Sequence, residues 1–295
     1  MLLVTGATGF VGRNLVAGLC QAGHQVRCLV RKDSRTDVLG SLTVQLAMGD
    51  IGDSQSLAQA LEGIDTVIHL VGIIKETKGA TFDSIHAEGT RNVTASSLSA
   101  GVKRLLYLSA LGTRPNARSR YHQTKWQAEE AVRNSGLRHL ILRPSIVCGQ
   151  GDKFVNLFAE MIRRMPILAL PASRARLQPI FVNDLVFCIL KALADDSVWN
   201  QALEVAGPDR LTLQEIVLAI MEQLGKRRPV VRIPIPAMRL VAQFLERFHP
   251  DPPLTRDQLL SLTEDNTCDI SKMRTAFAFE PSPFRNAIAS YLKRH

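Results

Sequence analysis

The chain has 295 residues, of which 46% are hydrophobic and 21% charged. This is a globular balance that excludes disordered, collagen-like and disulfide-framework proteins. Its 36 basic and 27 acidic residues leave a net charge of +9, which suits an anionic partner such as a phosphorylated cofactor, nucleic acid or acidic lipid. Aromatic residues at 5% supply too few rings for a stacking platform, so nucleic acid is set aside.

From residue 1 to 148, short β-branched runs alternate with longer amphipathic stretches. The pattern predicts strands over Leu2–Thr5, Gln25–Val30, Val44–Ala47, Thr66–Leu70, Arg104–Ser109 and His139–Arg143. Helices are expected over Gly12–Gln21, Ser54–Leu61, Phe82–Ala100 and His122–Asn134. Such alternation predicts an α/β fold built on a doubly wound parallel sheet. Beyond Cys148 the order loosens. Arg164–Pro171 is punctuated by proline, Asn183–Ala194 and Leu213–Leu224 read as helices, and Gly225–Pro236 reads as a basic, proline-rich connector with room for a strand. Met238–Phe248, Asp257–Leu262 and Asn286–Arg294 make the end mainly helical. The expected division is a nucleotide-binding domain over 1–148, with elements continuing to about 195, and a smaller substrate or partner domain over 149–295.

Five scattered cysteines form no CxxC pair, and the seven histidines show no ligand spacing, so no metal site is expected. The first strand starts at Leu2, leaving no room for a secretory leader, and no apolar run reaches the roughly 20 residues that span a bilayer. The expected location is cytoplasmic, or peripheral on the inner face of a membrane.

The motifs follow the strands. Thr5-Gly6-Ala7-Thr8-Gly9-Phe10-Val11-Gly12 leaves the first strand and opens the first helix with GxxGxxG spacing. Gly6 suits a tight turn, Gly9 a close approach of backbone to a pyrophosphate, and Gly12 close packing of the helix, with phosphates at the helix's positive end. The second strand ends in Arg31-Lys32 instead of a carboxylate for a ribose 2′-hydroxyl. A guanidinium fork there can grip a 2′-phosphate, favouring NADP(H) over NAD(H); a solvated basic turn is the alternative. Asp50, in Gly49-Asp50-Ile51, lies either near an adenine amine or at a helix cap. After the fourth strand, Leu70-Val71-Gly72 lets the chain run close to a cofactor.

Tyr121 and Lys125 stand four residues apart, which on a helix puts phenol and ammonium on one face. The ammonium favours the phenolate, lowering a pKa that is about 10 when unperturbed. Such a phenol can exchange a proton with a substrate oxygen.

Together, TGATGFVG, GDI, HLVG, YHQTK, LRPSIVCGQGD, the Phe181–Asp184 stretch FVND and the Val205–Pro208 stretch VAGP resemble an extended or atypical short-chain dehydrogenase/reductase. Two stretches, His69–Glu76 and Leu254–Thr267, are similar to the nucleotide-binding accessory subunit of respiratory complex I and its bacterial and coenzyme Q biosynthesis relatives. The resemblance implies a Rossmann domain with NAD(P)H in its cleft and a small C-terminal substrate domain. It implies cofactor contacts at Gly6, Thr8, Gly9, Phe10, Val11, Gly12, Arg31, Lys32, Asp50, Ile51, Leu70, Gly72, Lys125 and Pro144, and a catalytic set of Tyr121, Lys125 and Ser109. Two departures stand out: Ala110 falls where active relatives carry a hydroxyl, with Ser109 one residue early, and His86 falls where many have asparagine. Three readings stay open: an NADP(H)-dependent oxidoreductase linked to quinone or isoprenoid-lipid metabolism, a non-catalytic NADPH-binding subunit or assembly factor of a membrane redox complex, and a sugar-nucleotide epimerase or dehydratase. The basic region beyond residue 160 reads as a core-facing helix at Met238–Phe248 with a solvated cationic face. Contact with anionic lipid or a membrane complex is the alternative.

Overall fold

The computed structural model describes all residues except 41, 78, 249–253 and 294–295. The chain forms two compact units, Met1–Arg143 with Val186–Leu203, and Pro144–Leu185 with Glu204–His295. It therefore crosses between them three times, where the sequence reading has a single division at 148.

The first unit is built on β1 (Leu2–Thr5), β2 (Val26–Val30), β3 (Gln45–Met48), β4 (Thr66–His69), β5 (Arg104–Leu108) and β6 (Arg138–Pro144). The second carries the short strands β7 (Val147–Cys148), β8 (Leu168–Pro171), β9 (Arg176–Leu177) and β10 (Ile180–Phe181). After them come β11 (Gln201–Val205), which joins the large sheet, and then β12 (Leu211–Thr212) and β13 (Val230–Ile233). The sheet order is β11-β6-β5-β4-β1-β2-β3, and pairing is parallel from β3 to β6. This is the doubly wound arrangement that strand–helix alternation predicts. All four residues of β1 and of β4 are buried, as strands covered on both faces require. Between β1 and β4 the chain winds outward in both directions, and an open α/β sheet forms its ligand crevice at the carboxyl ends of the strands at such a switch point.

Helices α1 (Phe10–Gln21), α2 (Ser54–Ala60), α3 (Gly89–Ser99) and α4 (Arg120–Arg133) connect the strands. A core of Leu3, Leu57, Val67, Val93, Leu105 and Ile141 is buried among them, each large apolar side chain contributing about 1.5–3 kcal/mol. The predicted helix Phe82–Ala100 is observed as a π-helical turn, Asp83–Glu88, followed by α3. The junction is tight: a Cβ on Gly89 would lie 2.4 Å from Ile51 Cδ1.

In the second unit the pairings are β7 with β10, β8 with β13 and β9 with β12. Its core holds Val155, Ile162, Leu168, Ile216, Ile220 and Phe284. Helices α5 (Val155–Arg164), α6 (Val182–Ala194), α7 (Leu213–Gln223), α8 (Ile235–Phe248), α9 (Arg256–Ser261), α10 (Ser271–Phe277) and α11 (Phe284–Ala289) complete the chain, α6 starting here and ending in the first unit. A capping box of Thr212 and Glu215 starts α7. The predicted helix to Arg294 ends earlier, at Ala289, and residue 294 lies outside the described residues. The core-facing reading of Met238–Phe248 is overturned: the large side chains Leu240, Phe244 and Phe248 of α8 are exposed. Among the described residues no helix is long and apolar enough to cross a membrane.

Candidate functional site

The loop after β1 is shaped by its glycines. Gly6 adopts φ +76°, and a Cβ there would stand 3.1 Å from the Leu70 carbonyl carbon and the Val71 nitrogen beyond β4. Only glycine fits both constraints. Gly12 seats α1 on the loop, since its Cβ would fall 2.1 Å from the Gly6 carbonyl oxygen. Gly9 is exposed and is the N-cap of α1, with no side-chain cap and no acidic residue in the helix's first turn. Thr8, Phe10 and Val11 are half-buried around it. Uncapped N–H groups at a positive helix end, unopposed by carboxylate, fit the diphosphate of a dinucleotide.

At the end of β2, Arg31 and Lys32 are both exposed. Arg31 Nε is 3.8 Å from Asp33 Oδ1, a water-facing pair of small energetic weight. Beyond β3, Asp50 Oδ1 accepts from the Gly52 N–H at 2.7 Å, whereas Asp53 caps α2 by accepting from Gln55 N–H. Asp50 is therefore not the helix cap. The Ile51 side chain is buried, and its carbonyl accepts from Asn92 Nδ2. Leu70 is half-buried, and its N–H donates to the Thr5 carbonyl at 3.1 Å. Pro144 is buried at the end of β6 and is the first residue of the second unit.

Helix α4 aligns Tyr121, Lys125 and Glu129 on one face, a turn apart. Lys125 is buried, donates from Nζ to the Leu108 carbonyl at 3.0 Å and lies 4.9 Å from the Tyr107 ring centroid. Burial pulls its pKa from 10.5 down to about 7, and the nearby Glu129 carboxylate opposes that shift. A Cβ on Gly72 would lie 3.1 Å from Lys125 Nζ and 3.6 Å from His86 Nε2, so the bare backbone of residue 72 is what lets these groups meet. The Tyr121 ring meets His86 edge-on at 5.3 Å and Phe82 at 5.8 Å.

His86 Nε2 accepts the Ile73 N–H at 3.1 Å. With that nitrogen as acceptor, the proton of the neutral ring sits on Nδ1, 3.0 Å from Thr124 Oγ1. Burial and then the Lys125 charge push its pKa down to about 2. His69 lies between Thr5 Oγ1 at 2.6 Å and Thr90 Oγ1 at 3.0 Å, and stacks on Tyr107 at 5.5 Å. The same two causes pull it to about 3. Two neutral imidazoles and one buried amine thus underlie the carboxyl edge of β4 and β5. His86 stands out in the sequence as a departure, whereas His69, Thr5 and Thr90 do not; polar letters inside apolar strand and helix windows are the available signal.

Ser109, directly after β5, is buried. Its hydroxyl donates to Glu129 Oε1 at 2.6 Å, two helical turns along α4. The fully buried Glu129 also binds Arg143 through Nε at 2.8 Å and Nη2 at 2.6 Å, and pairs with Arg133. Glu129 shares the α4 face of Tyr121 and Lys125, so Ser109 meets that face through this ion cluster.

A glycine loop at the switch point of a doubly wound sheet, with a buried lysine one turn from a tyrosine at the neighbouring strand ends, defines a dinucleotide-binding protein of the short-chain dehydrogenase/reductase type. Residues 6–153 match the NAD(P)H-binding family, and the chain belongs to it. It is 29% identical to a ceramide reductase of Caulobacter vibrioides over 81% of this chain and 75% of that one. It is 30% identical to a 3β-hydroxysteroid dehydrogenase/Δ5→4-isomerase of Mycobacterium tuberculosis over 95% and 86%. Subunit 9 of the NADH dehydrogenase [ubiquinone] 1 alpha subcomplex of Dictyostelium discoideum is 27% identical over 97% and 87%. In fold it matches an NADPH-dependent quinone oxidoreductase of Escherichia coli complexed with NADPH, with a TM-score of 0.80 at 17% identity over 98% and 99% of the two chains. The chain is thus an NAD(P)H-binding protein of oxidoreductase type with an epimerase/dehydratase-like fold.

Proposed function

We propose that this protein is an NADP(H)-preferring reductase of an apolar, carbonyl-bearing substrate of the quinone or lipid class, working in the cytoplasm or at the inner face of a membrane. The observation that carries the reading is the meeting of Lys125 and His86 at the bare backbone of Gly72, with the Tyr121 ring edge-on to His86. In this reading the first-turn N–H groups of α1 hold the diphosphate, Arg31 and Lys32 meet the 2′-phosphate, and Lys125 binds ribose hydroxyls. When bound, the nicotinamide supplies hydride. Tyr121 donates the proton to the substrate oxygen, and the Lys125 ammonium favours the phenolate that remains. The substrate class is supported by the relatives, whose names refer to a ceramide, a hydroxysteroid and ubiquinone.

A second reading, a non-catalytic NADPH-binding subunit, is favoured by one observation: the Ser109 hydroxyl is spent on Glu129, leaving Ala110 at the position where active relatives orient a carbonyl. The discriminating experiment follows NADPH absorbance with a short-chain ubiquinone analogue. Wild type is expected to oxidise NADPH, and Tyr121→Phe to lower kcat by about 10²–10⁴-fold while still binding NADPH. NADPH binding without oxidation by wild type supports the subunit; unchanged turnover by the variant removes Tyr121 as proton donor.

A further inference from the structure

Helix α8 turns its hydrocarbon outward. Ala242 is its buried residue, while Leu240, Val241, Phe244 and Phe248 are 69%, 46%, 62% and 67% exposed. Their spacing lays them along one stripe of the helix, and the Phe244 and Phe248 rings touch, with centroids 4.6 Å apart. An exposed apolar stripe of this length marks a contact surface. The charge around it narrows what makes the contact. Residues 226–248 hold six cations and a single acid, Glu246, and that acid is already engaged by Arg256 at 2.6 Å. Arg239 and Arg247 lie on the helix itself and are exposed, Arg247 sitting 6.0 Å from the Phe248 ring centroid. A purely apolar protein partner gives these cations nothing to bind. An anionic bilayer accepts both: hydrocarbon at the headgroup–acyl boundary and cations on lipid phosphates.

We propose that α8 docks the second unit of this protein on the surface of an anionic phospholipid bilayer. Leu240, Val241, Phe244 and Phe248 enter the headgroup–acyl boundary, and Arg239 and Arg247 meet the phosphates. The helix lies in the interface plane. This surface is independent of the cofactor chemistry above, so its test leaves that reading untouched.

The test is sedimentation of the full chain with vesicles of phosphatidylcholine alone and of phosphatidylcholine and phosphatidylglycerol in equal parts. Wild type is expected to sediment with the anionic vesicles at low ionic strength and to stay in the supernatant with the neutral ones. Phe244→Ser with Phe248→Ser is expected to lower binding about tenfold while thermal unfolding and NADPH binding stay unchanged. Should that pair fail to fold, Arg239→Glu with Arg247→Glu decides, and is expected to abolish the preference for anionic vesicles. The proposal is overturned if wild type ignores anionic vesicles, if folded variants sediment as wild type does, or if the serine pair merely converts a wild-type dimer to a monomer with vesicle binding unaltered.

Discussion

The carboxyl edge of the sheet and the outer face of α8 depart from ordinary burial in opposite directions. In the first unit an amine, two imidazoles and a carboxylate, Lys125, His69, His86 and Glu129, are withdrawn from water. In the second, two phenylalanines and two aliphatic side chains are left in it. The withdrawn groups are costly unless partnered, and each has partners: the Leu108 carbonyl for Lys125, threonine hydroxyls for the imidazoles, two arginines for Glu129. Among the described residues the exposed rings meet each other and Arg247. The buried polar groups find their partners within the first unit, while the α8 side chains are left exposed.

The largest effect on stability is expected at Glu129. Glu129→Ala would leave Arg133 and Arg143 beside a void and strip Ser109 of its acceptor, so unfolding measured by denaturant should lose about 3–5 kcal/mol. A loss under 1 kcal/mol would mean that the cluster is not tightly coupled to the fold.

The imidazoles give a smaller, pH-dependent effect. Their folded pKa values, about 3 and about 2, lie below the ordinary 6.5, so as pH falls below 6.5 the unfolded chain takes up protons that the native one refuses. Their contribution is whole above pH 6.5 and is lost progressively below it, by about 1.4 kcal/mol per pH unit for each ring. Lys125, with a folded pKa of about 7, is charged in both states well below that pH and adds no slope there. The variant His86→Asn should show an acid limb shallower by one ring's share; an unchanged limb would show that His86 is not held neutral. The smallest change is the one expected for α8, whose serine variants should unfold as wild type does because an exposed face carries little of the stability.

The first unit was largely legible because its strands are apolar runs of four to seven residues alternating with longer helices. Each of β1 to β6 lies within a residue or so of its expected place, and the glycine loop, the β2 tip and the Tyr121–Lys125 pair follow from local spacing. The direction of Ser109 was not legible, since its partner Glu129 is twenty residues away and the choice rests on a single-residue register. In the second unit, β7, β9, β10 and β12 are two-residue strands paired across long separations, too short to carry a period. Helix α8 shows the remaining limit: periodicity reveals that an apolar stripe exists but not whether the stripe faces core or solvent.

Titrating NADPH and NADH into wild type and Arg31→Ala, followed by nicotinamide fluorescence, tests whether the carboxyl edge of the first unit binds NADP(H) by its 2′-phosphate. NADPH should bind wild type at least about tenfold more tightly than NADH, and Arg31→Ala should erase most of that difference while leaving NADH affinity unchanged. Equal affinity of wild type for the two cofactors would contradict the claim.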